Sequence, residues 1–90
     1  MHAVVANVTI KDLDRARRML EEQVVPLASQ APGFVAGYWT RSEDNRGISM
    51  IVVESEEAAR RVAELIEQGP PDPEAVALEN VEVREVVASA

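Results

Sequence analysis

Cysteine is absent from the 90-residue chain, histidine occurs once, and Trp, Tyr and Phe occur once each. Each scarcity removes a class of function. Without cysteine there is no disulfide framework, thiolate zinc site, iron–sulfur cluster or cysteine nucleophile. A single histidine cannot build a His-rich metal site from one chain. Basic residues are few, 9 against 16 acidic, and the net charge of -7 opposes the basic stripe that a nucleic-acid partner requires. No apolar run approaches the roughly 18–20 residues of a membrane span, and the opening Met1-His2-Ala3-Val4-Val5 lacks the charged and apolar regions of a signal peptide. The expectation is one cytoplasmic domain, residues 1–90, with no nucleic-acid and no membrane partner. A core this small is marginal alone, so its stability is shared with a second copy or remains low.

What is present alternates between two periods. Residues 3–10 are short and β-branched and contain neither Gly nor Pro, which predicts a strand. Val4, Ala6, Val8 and Ile10 form its apolar row; Val5, Asn7 and Thr9 form a mixed one. From Asp12 the period becomes helical: Leu13, Ala16, Leu20, Val24, Leu27 and Ala31 recur at steps of three and four between charges. Asp12 suits the N-cap, and Pro26 should kink or break the helix near Val25. Residues 34–42 and 47–54 read as a hairpin around the polar turn Ser42–Gly47. Its first strand divides into Phe34, Ala36, Tyr38 and Thr40 on one face and Val35, Gly37, Trp39 and Arg41 on the other. Ser55 caps a second helix, with Ala58, Ala59, Val62, Ala63, Leu65 and Ile66 at helical spacing and Gly69 as its stop. After the proline-rich stretch Pro70–Pro73, Glu74–Leu78 reads as an irregular turn. Residues 80–88 read as a last strand, with Val81, Val83 and Val87 on one side.

The order β-α-β-β-α-β predicts an α+β, ferredoxin-like domain, with two helices on one face of a four-stranded antiparallel sheet. Both hairpin strands are apolar on two faces, more than a sheet wetted on one side needs. The uncovered face is therefore expected to pair with a second copy, and a two-fold homodimer is the simplest closed solution.

The run Ala31-Pro32-Gly33-Phe34-Val35-Ala36-Gly37-Tyr38-Trp39, the hairpin after it, the strand ending Val53-Glu54-Ser55 and the helix opening Glu56-Glu57-Ala58 carry a family likeness. From Val4 to Val87 the chain resembles antibiotic-biosynthesis-monooxygenase-like domains. The resemblance implies a dimeric α+β barrel, in which two ferredoxin-like sheets pack together. It implies either cofactor-independent oxidation of aromatic phenols or haem degradation, and many such domains have no assigned activity. The haem-degrading members take an iron ligand from a helix. Neither helix here contains histidine, so no cofactor is expected.

Three residues are candidates for chemistry. Asn7 interrupts an apolar strand; its amide either holds a substrate hydroxyl, as the resemblance implies, or bonds neighbouring backbone or the dimer mate. Trp39 either stacks on an aromatic substrate or is a large apolar anchor, and its neighbour Tyr38 must point to the opposite face. Arg41 either binds a phenolate or carboxylate or pairs at the surface with Glu43 or Glu54. Phe34 suits the core, and His2 is either a proton shuttle near a cavity rim or a frayed terminal residue. The function expected first is a cofactor-free monooxygenase acting on a small aromatic or quinol-like molecule, with Asn7, Trp39 and Arg41 as its catalytic residues. The alternative is a non-catalytic dimeric module that binds a small hydrophobic metabolite.

Overall fold

The computed structural model describes residues 1–90. Four strands, β1 (His2–Ile10), β2 (Phe34–Arg41), β3 (Arg46–Val53) and β4 (Val76–Glu85), form one antiparallel sheet in the order β2-β3-β1-β4. The helical segments are α1 (Leu13–Met19), a π-helical turn (Leu20–Val24), α2 (Val25–Ser29) and α3 (Glu56–Glu67). α1, the π-turn and α2 run without interruption, so the architecture is two helices over a four-stranded sheet, compatible with the ferredoxin-like plan. No helix is long and apolar enough to cross a membrane.

Helix ends follow the local chemistry. The carboxylate of Asp12 accepts from the Arg15 N–H at 3.1 Å, and the Ser55 hydroxyl accepts from the Ala58 N–H at 3.1 Å. Pro26 neither breaks the helix nor merely bends it. A proline has no N–H to donate, and its ring crowds the carbonyl four residues back. The chain widens just before it, and the Val25 N–H reaches back five residues to the Leu20 carbonyl. This wider turn shifts the phase of the apolar stripe. Ala28 is 9% exposed while Leu27 is 61% exposed, the reverse of the helical spacing read from the sequence. In α3, Ala59, Val62 and Ala63 are buried and Leu65 turns outward.

Register assigns the sheet's two faces. Cross-strand neighbours Val83, Val4, Ile51 and Gly37 share the helix side, as do Val81, Ala6, Ser49 and Trp39. On the open side lie Glu82, Val5, Met50 and Tyr38, and beside them Asn80, Asn7, Ile48 and Thr40. A bulge between Phe34 and Ala36 corrects the expected face of β2. The extra residue returns Phe34 to the helix side opposite Val53, where it packs on the core, while Ala36, Tyr38 and Thr40 stay on the open side. β4 also begins earlier than expected, at Val76 rather than 80, because pairing with β1 continues through a second bulge at Asn7/Val8. It ends before Val87, which is exposed.

The core is divided. One cluster gathers Val4, Ile51, Val53 and Ala28 with Ala59, Val62 and Ala63 of α3. A second joins Ala16 and Met19 of α1 to Ala75 and Val76. The phase shift after the π-turn can be tested by denaturant unfolding. Leu27→Ala should cost under about 1 kcal/mol, against the roughly 2–5 kcal/mol of a buried leucine. Ala28→Leu should destabilise by about 1–3 kcal/mol through overpacking.

Candidate functional site

Between the two core clusters lies a cavity of about 140 Å³. It exists because the helix-facing rows at this end of the sheet carry small residues. Ala6 and Ser49 face each other across β1 and β3, and Gly47 lies opposite Val8. A methyl group at Gly47 would stand 2.8 Å from Val8 Cγ2, so a larger residue there forces the Val8 side chain or the strand to shift. Ala16, Met19, Leu20 and Val24 form the helical wall, and the π-turn supplies the last two. Ile66, Pro70 and Pro71 line the cavity at the end of α3 and beyond it.

Trp39 is the aromatic wall. Its indole folds along β2 over Gly37, where a Cβ would come within 2.7 Å of Cη2 and 2.9 Å of Cζ3. Glycine is needed at that position for close packing, not for an unusual backbone angle. The lining contains no titratable side chain. Ser49 carries the hydroxyl on the cavity's side of the sheet; that of Thr40, on the open side, donates to the Ile48 carbonyl at 2.8 Å. Ser49, directly across β2 and β3 from Trp39, has no side-chain hydrogen-bond partner within the chain, so its hydroxyl is free to bind a ligand's polar atom.

Asn7, Trp39 and Arg41 are not brought together. Asn7 is on the open face, and its amide donates to Asn80 Oδ1 at 2.7 Å. Arg41 is exposed at the end of β2, where Nη1 lies 3.5 Å from Asn45 Oδ1, and neither Glu43 nor Glu54 pairs with it. Asn7 and Arg41 both border a wide polar groove beside the β2–β3 turn, and Trp39 does not. The groove's polar groups are largely used on one another: Asn7 with Asn80, Thr9 with Glu79, Ser42 with Asp44, and Arg46 with Asp44. The Ser42 hydrogen bond above all, with backbone hydrogen bonding and the nearby Arg46 charge behind it, holds the Asp44 carboxyl below the usual aspartate range. That self-pairing leaves the groove little to offer a ligand.

His2 is not frayed. It is the first residue of β1, opposite Val53, with Nδ1 buried and unpartnered. It sits at the other end of β1 from the cavity, which Val8 and Ile10 line, so it does not serve that site.

Among these residues, Ser49, Gly47 and the Pro70-Pro71 pair were not singled out by sequence reasoning. The signal for the first two is the alternation Gly47, Ser49, Ile51, Val53 along β3, which is small at one end of a single face and bulky at the other. Because Trp39 is the sole tryptophan, its fluorescence reports the cavity wall directly. Gly37→Ala should displace the indole, red-shift its emission and cost about 1–3 kcal/mol as an overpacked site. An unchanged spectrum would refute the placement of the ring over Gly37. No family model and no curated protein matches the chain.

Proposed function

We propose that this chain binds a small aromatic or quinol-like molecule in the helix–sheet cavity, and that it works as a homodimer joined through the open sheet face into an α+β barrel. The observation that carries the reading is the cavity itself: an apolar pocket walled by Trp39 and lined by Ser49, whose hydroxyl has no partner within the chain. Its volume of about 140 Å³ favours a single ring. A cavity of about 150 Å³ accommodates benzene, whereas sites for larger ligands run to about 300–1,000 Å³. The Ser49 hydroxyl suits one hydroxyl or carbonyl on that ring.

The reading is tested with p-cresol as probe, by calorimetry and by Trp39 fluorescence. Ser49→Leu puts a side chain into the cavity, so binding should disappear while the melting temperature does not fall. Undiminished binding in Ser49→Leu overturns the site.

A second reading, cofactor-independent monooxygenation of the bound molecule, is favoured by the resemblance over Val4–Val87 and by the free Ser49 hydroxyl, which suits an oxyanion developing on a phenol. The lining holds no base, so the substrate must ionise without one. Oxygen consumption with a quinol substrate that is lost in Ser49→Leu supports this reading. If p-cresol binds and no oxygen is consumed with any quinol, the protein is a binding module.

The dimer is supported by the open face. Tyr38, Ile48 and Met50 there are 64%, 47% and 41% exposed and adjoin one another across β2 and β3. Contiguous apolar surface of this kind marks an interface. Toward β4 the same face turns polar at Asn80, Glu82 and Arg84, which suits a rim. Light scattering at micromolar protein should give twice the chain mass, and Met50→Glu should give a monomer of lower thermal stability. A wild-type monomer would rule the barrel out.

A further inference from the structure

The cavity has one wall that belongs to neither a helix nor a strand. It is the segment Gly69-Pro70-Pro71-Asp72-Pro73-Glu74, whose first two prolines face the cavity interior. Its attachment differs from that of every other wall. Gly69 ends α3 at φ +104, and nothing lies within 4 Å of where its Cβ would be, so the hinge is unobstructed. Three of the next four residues are prolines, stiff and without N–H groups to donate. The backbone hydrogen bonds of residues 70–74 reach only the residues that follow them, from the Ala75 and Val76 N–H groups to the Asp72 carbonyl at 3.0 and 3.4 Å. The next backbone anchor is buried Ala75, whose carbonyl accepts from the N–H groups of Lys11 and Asp12 at 2.8 and 3.2 Å.

What holds the segment down between hinge and anchor is side chains. Arg15 of α1 grips Asp72 with both ends of its fork, Nε to Oδ2 and Nη2 to Oδ1, each at 2.9 Å, and its Nη1 reaches Glu74 Oε2 at 2.7 Å. Lys11 Nζ adds a bond to the Pro73 carbonyl at 3.1 Å. Arg15 immediately precedes Ala16, which lines the cavity from the helical side. One guanidinium thus ties the strap wall to the helix wall.

We propose that Gly69–Glu74 is a movable wall of the cavity, latched by Arg15 to Asp72 and Glu74, and that release of this latch governs how fast a small apolar ligand enters and leaves. The inference rests on the cavity being a ligand site. The prolines make the strap swing as a stiff unit about Gly69. Outward movement of the strap enlarges a cavity that otherwise fits a single ring. The Arg15 hydrogen bonds hold the Asp72 carboxyl below the usual aspartate range, so the latch stays charged at neutral and mildly acidic pH. Both partners reach water, with side chains 43% and 23% exposed. Ionic strength is therefore the lever that loosens it.

The experiment uses the intact protein and the emission of Trp39. Two probes are read: collisional quenching by neutral acrylamide, which needs no ligand, and stopped-flow association and dissociation of p-cresol. Raising salt from about 0.01 M to about 1 M shortens the Debye length from about 30 Å to about 3 Å. In the wild type this should raise acrylamide access and both p-cresol rate constants together. Arg15→Ala should raise them at low salt by about fivefold, the scale of an exposed ion pair, and should abolish their salt dependence. The dissociation constant should stay within about twofold in every case, because a gate alters both rates equally. Arg15→Lys keeps the charge but not the fork and should fall between the two.

A dissociation constant that shifts while association is unchanged would mean that Arg15 only shapes the site, and would overturn the gate. Salt-independent quenching in the wild type would overturn it as well. Salt-gated acrylamide quenching in a protein that never binds p-cresol would leave the strap standing and remove the ligand reading.

Discussion

The arrangement of the molecule depends on a steric constraint in the middle of the sheet's helix side. Ala6, Ser49 and Gly47 are neighbours across β1 and β3, and none has the bulk to reach the helices above. The apolar residues on either side have that bulk, so the interior condenses twice, around Val4, Ile51 and Val53 beneath α3 and around Met19 and Val76 beneath α1. Protein interiors normally close such gaps, because unfilled space forfeits dispersion contacts on every wall. Here the helices cannot settle further. α3 is held against the first cluster and α1 against the second, and Trp39 packs on the first over Gly37 and lines the cavity.

The π-turn is the second half of the same geometry. Pro26 forbids a regular hydrogen bond at its own position, and the strain is absorbed upstream as a wider turn. The consequence reaches the core on both sides. Upstream, Leu20 and Val24 of the widened turn face the cavity. Downstream, the altered phase sends Ala28 into the first cluster and Leu27 to water. One missing N–H thereby sets which side chains the helix offers to each cluster.

These details mark where the sequence could be read and where it could not. Element order, both helix caps and the assignment of Val4, Ala6 and Val8 to one face follow from local rules, in which period and capping chemistry are decided by adjacent residues. The faces of Phe34 and Leu27 do not follow. A bulge or a π-turn inserts one residue into a regular count, and everything beyond it changes side while composition stays the same. The same limit governs the candidate site. Trp39 was identifiable as the only large stacking surface, but whether it meets Asn7 depended on parity across three strands. Register puts Asn7 with Ile48 and Thr40 on the open side, and Trp39 with Ser49 on the helix side. Ser49 itself looks unremarkable in a strand. Its meaning comes from Ala6, 43 positions earlier, being small at the same level of the sheet.

The two faces of the sheet also stand in an energetic relation. Only 14 of 90 residues are buried, few for a chain that must offset the conformational entropy of its full length. An unfilled cavity adds to that burden. On the open face, Tyr38, Ile48 and Met50 remain in water and hold apolar area not yet used. Sheet-to-sheet association would draw on that reserve without touching the helix side, because alternate residues of the same strands serve the two faces independently. Val5 and Ala6, or Met50 and Ser49, are adjacent in sequence yet belong to different faces. The cavity and the open face can therefore be altered separately in one small sheet, provided that its register is kept.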